Sequence, residues 1–85
     1  MSKKRGKLVR LHLGSGEVTC ELLPEDFMAL HNIAERETEI KNIEKAYRRL
    51  RSFGLVRHQF TEGDWPKALA RLTQAGEQAL SQRDI

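Results

Sequence analysis

The stretch of sequence that decides the fold spans residues 43–80 and reads IEKAYRRLRSFGLVRHQFTEGDWPKALARLTQAGEQAL. Its first part belongs to a helix predicted over residues 39–53, because apolar side chains recur there at helical spacing within an arc of roughly 120°. These side chains are Ile40, Ile43, Ala46, Tyr47 and Leu50. The opposite arc is basic and polar, and it comprises Lys41, Asn42, Lys45, Arg48, Arg49 and Ser52. The pattern therefore predicts one buried side and one side that faces a negatively charged partner.

The segment after this helix has two interpretations. Gly54 is expected to end the helix, residues 55–60 form a strand candidate, and residues 61–66 form a turn. Residues 67–72, KALARL, then form either a strand that returns beside residues 55–60 or the start of a helix capped by Asp64. Intrinsic propensity favours the helix. The strand makes Thr73 the cap of a separate helix, residues 74–81, whose inward side chains are Leu72, Ala75, Ala79 and Leu80.

A β-hairpin is predicted upstream, over residues 7–23, where two alternating runs flank Gly14-Ser15-Gly16. A two-residue turn at Ser15-Gly16 gives an apolar face and a polar face. The apolar face pairs Leu13 with Val18, Leu11 with Cys20 and Val9 with Leu22, and the polar face pairs Arg10 with Glu21 and His12 with Thr19. Cys20 is thus expected to point into the core.

Residues 24–36 are predicted to form an amphipathic helix, with Pro24 and two acidic residues in its first turn. Its apolar stripe comprises Leu23, Phe27, Leu30, Ile33 and Ala34. Thr38 is a candidate cap for the next helix. The residues between the two helices contain no Gly, Pro or Asn, so the sequence leaves open whether the chain turns there or continues as one long helix.

Length and charge give one small domain over residues 7–82, preceded by a flexible basic arm, residues 1–6. The formal net charge of +3 in 85 residues hides opposed blocks. Residues 11–40 hold seven acidic residues against one arginine, whereas residues 41–60 hold six basic residues against one glutamate.

The sequence has a single cysteine and no apolar run long enough to span a membrane, which predicts a cytoplasmic protein without membrane partners. The small core makes a homodimer a reasonable expectation.

The 43–80 stretch resembles the second half of winged-helix DNA-binding domains, especially the MarR-type transcriptional regulators. Leu50, Gly54, Leu55 and Val56 match the end of the recognition helix in that family, and Leu72, Thr73, Gly76 and Leu80 match the strand and helix that follow the wing. Asp64 and Lys67 resemble the acidic and basic residues of the wing tip. The resemblance favours a strand over residues 67–72.

The resemblance also implies a small α+β winged-helix-like domain of order β-β-α-α-β-β-α, with an N-terminal hairpin and a C-terminal wing and helix. Only one helix fits between Leu23 and Thr38. Either that helix supports the recognition helix while the hairpin replaces the first helix of the family, or the chain shares only the helix-and-wing half.

The function expected from this arrangement is that of a small DNA-binding regulator that contacts double-stranded DNA through the basic helix face. Lys41, Asn42 and Lys45 are the candidates for base contacts, and Arg48, Arg49 and Arg57 are the candidates for phosphate contacts. Further contacts are expected from Lys67 on the wing and from Lys3, Lys4 and Arg5 in the arm. Trp65 either covers the edge of the core or lies against the nucleic acid.

The alternative function is a protein-interaction or dimerisation module on the same scaffold. The acidic block over residues 17–39 and the basic block over residues 41–57 are complementary, so they suit docking of a second copy or of an acidic protein partner. Catalysis is not expected, since His12, His31 and His58 share no metal-ligand spacing and the chain has no phosphate loop or nucleophile motif. No cofactor and no metal are expected.

Overall fold

The computed structural model describes residues 6–14 and 16–82 of the chain, so nearly all of the predicted basic arm lies outside the described residues. The elements follow the predicted order β-β-α-α-β-β-α and confirm the α+β class. They are β1 (Lys7–Leu13), β2 (Gly16–Leu22), α1 (Pro24–Glu35), a 3₁₀ helix (Ile40–Asn42), α2 (Glu44–Ser52), β3 (Val56–Phe60), β4 (Ala68–Leu72) and α3 (Gln74–Ser81). Residues 68–72 are thus a strand, and in the described chain β1 pairs with β2 and β3 with β4, both antiparallel.

The hairpin register differs by two residues from the predicted one. Val9 lies opposite Cys20, Leu11 opposite Val18 and His12 opposite Glu17. The reason is the turn: Leu13 pairs with Gly16, so the turn begins directly after Leu13, and Gly14 has a φ of 56°, which suits the first position of a tight hairpin turn. A shift of two residues keeps every side chain on its predicted face, and Cys20 is buried as expected.

Helix α1 begins and ends through side-chain hydrogen bonds to the backbone. The Asp26 carboxylate accepts a hydrogen bond from the Leu23 N–H, with Oδ2 at 2.8 Å, and so satisfies a donor at the start of the helix. At the other end the Thr38 hydroxyl donates to the carbonyl oxygens of Asn32 and Arg36, at 3.2 and 3.1 Å. The chain therefore turns here, and Thr38 secures the end of α1 instead of capping the next helix as predicted.

Helix α2 is shorter than the predicted helix, because the residues before it are used elsewhere. The Ala70 N–H donates to the Thr38 carbonyl at 2.8 Å, and Glu39 forms an isolated bridge with Leu69. Residues 38 and 39 thus act as a minimal strand against β4 and cannot be helical. The 3₁₀ helix follows, and Ile43, with φ −132° and ψ 34°, separates it from α2.

The connection from α2 to β3 is a Schellman motif. Gly54 has a φ of 76°, its N–H donates to the Arg51 carbonyl at 2.9 Å, and the Leu55 N–H donates to the Leu50 carbonyl at 3.0 Å. Gly54 therefore ends the helix as predicted, and Leu55 enters the core directly after the turn.

Helix α3 is capped by Thr73 as predicted. The Thr73 hydroxyl accepts a hydrogen bond from the Gly76 N–H at 3.1 Å and donates to the Gly54 carbonyl at 2.7 Å. Gly76 is buried, and a Cβ at this position would overlap the carbonyl oxygen of Leu55. The glycine is thus required by the close approach of α3 to the chain after α2.

One apolar core joins both sheets to the three helices. Tyr47 and Leu50 are its α2 members and confirm that the apolar side of this helix faces inward. On α1, Ala34 is exposed and Ala29 is buried, so the stripe is rotated slightly from the predicted one. The larger buried apolar residues are Val9, Leu11, Leu22, Phe27, Leu30, Ile33, Tyr47, Leu50, Leu55, Val56 and Leu69. Among the described helices, none has the length and apolar character needed to cross a membrane.

Helix α3 also binds the outer edge of β1. The Gln78 carboxamide accepts a hydrogen bond from the His12 N–H at 2.7 Å and donates one to the His12 carbonyl at 3.1 Å. The Gln82 carboxamide makes the same pair of bonds with Arg10, at 2.8 and 2.5 Å. Two side chains one helical turn apart thus occupy the edge that another strand would otherwise pair with.

Candidate nucleic-acid interface

The exposed side of α2 carries three cations that have no acidic partner among the described residues. They are Lys45, Arg48 and Arg51. The partners of the Arg51 guanidinium carry no negative charge: Nη1 donates to the Tyr47 hydroxyl at 3.1 Å and lies 3.2 Å from Nδ1 of His58. We call Lys45, Arg48 and Arg51 the free cations of α2. Their charge is uncompensated within the described chain, so they are suited to an anionic partner.

Arg49, predicted to contact phosphate, is instead held by a buried acid on α1. Its Nη2 lies 3.2 Å from Oδ2 of Asp26, and its Nε is 3.3 Å from the same oxygen. The Asp26 side chain is fully buried, whereas that of Arg49 is 45% exposed. This pair fixes α2 against α1, and it balances the charge of Arg49 within the chain.

The structure brings Lys41 and Lys67 together through one carboxylate. Glu39 lies between them, with Oε1 at 3.6 Å from Nζ of Lys41 and Oε2 at 4.0 Å from Nζ of Lys67. The start of the 3₁₀ helix and the residue before β4 therefore share one charged surface. Asn42 lies beside it and lines a shallow groove of about 310 Å³ with the end of α1.

Arg57 lies in a different place from the cations of α2. It lines an open groove of about 530 Å³ formed with residues of α1 and α3, among them Ile33, Ala34 and Leu80. Arg71 lies directly opposite Arg57 on β4 and lines the same groove. Arg71 donates from Nε to Oε1 of Gln59 at 2.8 Å. Glu77 of α3 also lines this groove, so the two arginines share it with one carboxylate.

Trp65 does not cover the edge of the core, which excludes one of its two predicted roles. It is 89% exposed in the connection between β3 and β4. Phe60, at the end of β3, is 61% exposed and meets His58 edge to face, with ring centroids 5.3 Å apart and an interplanar angle of 72°. The β3–β4 hairpin thus presents aromatic side chains to solvent.

Sequence reasoning missed Arg51, His58 and Phe60. On the helical wheel Arg51 falls just outside the apolar arc, about 20° from Ile40, so the wheel assigns it neither to the apolar side nor to the basic side. The available signal was its spacing of four residues from Tyr47, which places the guanidinium beside the phenol. His58 and Phe60 alternate along β3, and alternation in a strand puts them on one face. The predicted contacts by Lys3, Lys4 and Arg5 lie outside the described residues.

Cys20 is the chain's one nucleophilic thiol, and its surroundings suppress reactivity. Burial raises the pKa of this thiol, and the negative charge of Asp26 raises it further. The thiol lines a groove of about 500 Å³ between β2 and the end of α2. Within residues 6–14 and 16–82 no cluster of histidine, cysteine and acidic side chains has the makings of a metal site.

Comparison with known proteins places the chain in no family. No protein-family model matches it, and neither a search of curated proteins nor a search of solved structures found a match.

Proposed function

We propose that the chain is a winged-helix-type protein that binds double-stranded DNA through the exposed side of α2. The observation that carries this proposal is the set of free cations Lys45, Arg48 and Arg51, which no described acidic side chain neutralises. Cations on one helix face neutralise phosphates and release bound counterions. In a chain with twelve acidic residues, three unpaired cations on one nine-residue helix form a concentrated positive surface.

The arrangement around α2 supports the winged-helix interpretation. Helix α1 packs against α2 and is tied to it by the Asp26–Arg49 pair, so it takes the supporting position. The minimal strand at residues 38 and 39 pairs with β4, and the β3–β4 hairpin follows α2 as a wing. Lys41 and Asn42 are exposed just before the start of α2, the end from which recognition helices present side chains to the major groove.

The proposed roles of the cations follow from their partners. Lys41 and Asn42 precede α2, are exposed, and are the candidates for base contacts together with Lys45. Arg48 and Arg51 are the candidates for phosphate contacts. Arg49 contributes by holding α2 in place, whereas Lys67 and Arg57 supply positive charge at the wing.

A salt titration of binding tests this proposal. Replacing Lys45 and Arg48 together by Ala should weaken binding to duplex DNA of any sequence, and it should reduce the slope of log K against log salt by about 2, since each lost phosphate contact contributes roughly 0.9. The control variant carries Arg10→Ala and Arg36→Ala, which remove the same charge from the hairpin and from the end of α1. An equal loss of slope in both variants would attribute binding to net charge and refute the interface on α2.

The second candidate function is self-association, and one observation favours it. The backbone N–H and C=O groups of Arg10 and His12 point away from β2. Residues opposite each other in an antiparallel pair share this orientation, so the backbone groups of Thr19 and Glu17 point away from β1. No described residue bonds the backbone at this edge of β2, in contrast to the occupied edge of β1. An open edge is a template for pairing with a second copy. Light scattering on the titration samples separates the two functions, since a dimer without DNA binding would favour self-association.

A further inference from the structure

The β3–β4 hairpin carries two aromatic side chains that are largely exposed to solvent. Trp65 is 89% exposed and Phe60 is 61% exposed. Exposed apolar side chains grouped on one element mark binding surfaces more often than isolated apolar residues do. Trp65 is the chain's one tryptophan, and Phe60 is one of its three phenylalanines.

A continuous series of contacts links Phe60 to α2. The Tyr47 hydroxyl accepts from Arg51, the Arg51 guanidinium contacts the His58 ring, and the His58 ring meets Phe60 edge to face. The charge of the Arg51 guanidinium is uncompensated because neither of its described partners, Tyr47 and His58, carries a negative charge. Positive charge and aromatic surface therefore adjoin at the junction of α2 and the wing.

We propose that His58, Phe60 and Trp65 form a stacking surface for unpaired nucleobases next to a duplex held by α2. This inference rests on the proposed function, since the free cations of α2 hold the phosphate backbone that brings the bases to the wing. Bases within a duplex stack on one another, so ring faces become available to a protein at overhangs, gaps and openings. Aromatic side chains beside cations bind such bases with little regard to sequence, because every base has a π face.

The chemistry of the surface favours a nucleic acid over an apolar protein partner. A protein partner would bury a contiguous apolar patch, whereas here the rings are interleaved with His58 and Arg51, and Gln59 and Lys67 lie beside them in sequence. A guanidinium beside aromatic rings suits a nucleobase and its neighbouring phosphate.

The experiment compares a blunt DNA duplex with the same duplex carrying a thymidine overhang. Binding is followed by the fluorescence of Trp65, which stacking on thymine should quench. The overhang should strengthen binding by the wild-type chain about fivefold or more, the effect of one stacked base. Phe60→Ala should remove most of this gain in affinity. Trp65→Ala should also lose the gain, and its binding is followed by the anisotropy of labelled DNA. Met28→Ala is the control, because Met28 is a 67% exposed apolar residue on α1.

The outcomes separate this inference from the proposed function. Equal affinity for the blunt and overhanging duplexes, without quenching by the overhang, would overturn the stacking surface and leave duplex binding by α2 intact. If Met28→Ala also lost the gain in affinity that the overhang gives, this result would overturn the stacking surface too. Binding to neither DNA would overturn both proposals.

Discussion

Arg48 and Arg49 are adjacent arginines on the exposed side of one helix, yet their surroundings differ completely. Arg48 has no acidic partner in the described chain, whereas Arg49 contacts a carboxylate that is fully buried. Asp26 also accepts the Leu23 N–H, so one carboxylate serves both the start of α1 and the contact with α2. Arg48 is thus available to an anionic partner, whereas Arg49 holds α2 against α1.

We predict that Arg49→Ala destabilises the fold and that Arg48→Ala does not. Removing Arg49 leaves Asp26 buried without its cation, which should cost about 1–3 kcal/mol, less than for a fully buried pair because Arg49 is partly exposed. Arg48→Ala should change the free energy of unfolding by under about 0.5 kcal/mol. Urea denaturation of the two variants measures the difference, and equal stabilities would show that the ion pair contributes nothing.

We predict that Cys20 reacts slowly in the native protein. Its pKa is raised and its side chain is buried, so little thiolate is present or accessible at neutral pH. The folded state holds the thiol proton more tightly than the unfolded state does, so this group's contribution to stability is complete below the ordinary thiol pKa and is lost as pH rises through the raised pKa. Labelling by a thiol reagent with and without urea measures the protection; equal rates would place Cys20 at the surface.

At the scale of elements, the N-terminal hairpin is held by α3 through hydrogen bonds as well as by the core. Gln78 and Gln82 each satisfy the N–H and carbonyl of one β1 residue, as a neighbouring strand would. A two-stranded sheet is marginally stable alone, so this edge contact gives the hairpin support that it lacks by itself. The helix thereby substitutes for a third strand.

We predict that Gln78→Ala combined with Gln82→Ala loosens β1. The double variant should lose about 1–3 kcal/mol of unfolding free energy, because four exposed hydrogen bonds are removed. The amides of Arg10 and His12 should exchange with solvent faster, which NMR-detected hydrogen exchange measures. Gln74→Ala is the control, since Gln74 is exposed on the same helix. Unchanged exchange at Arg10 and His12 would show that these bonds do not protect the edge.

At the scale of the whole molecule, local patterns predicted most of the fold. Periodicity located α1 and the buried side of α2, and Thr73 and Gly54 marked helix boundaries that the structure confirms. Residues 68–72 form a strand despite their helical propensity, because β4 pairs with β3 on one side and with the segment at residues 38 and 39 on the other. Tertiary pairing here overrides propensity, and only the resemblance to a known family favoured the strand in advance.

Apart from the hairpin register, the main features of the fold that sequence did not predict depend on contacts between distant residues. Helix α2 starts later than predicted because the Thr38 carbonyl accepts a hydrogen bond from the N–H of Ala70, 32 positions later in the chain. The partner of Arg49 lies 23 positions away, and the partners of Gln78 and Gln82 lie 66 and 72 positions away. A helical wheel places Arg48 and Arg49 together, so it cannot distinguish the free cation from the paired one.

The distance in sequence between β1 and its helical partner bears on how the chain folds as it is synthesised. Strand β1 emerges from the ribosome long before Gln78 and Gln82, which follow the residues that they bond by 66 and 72 positions. A hairpin formed during that interval has both backbone edges open, a state prone to pairing with other chains. Closure of the domain therefore waits for α3, and a ribosome that stalls before α3 would release an aggregation-prone hairpin.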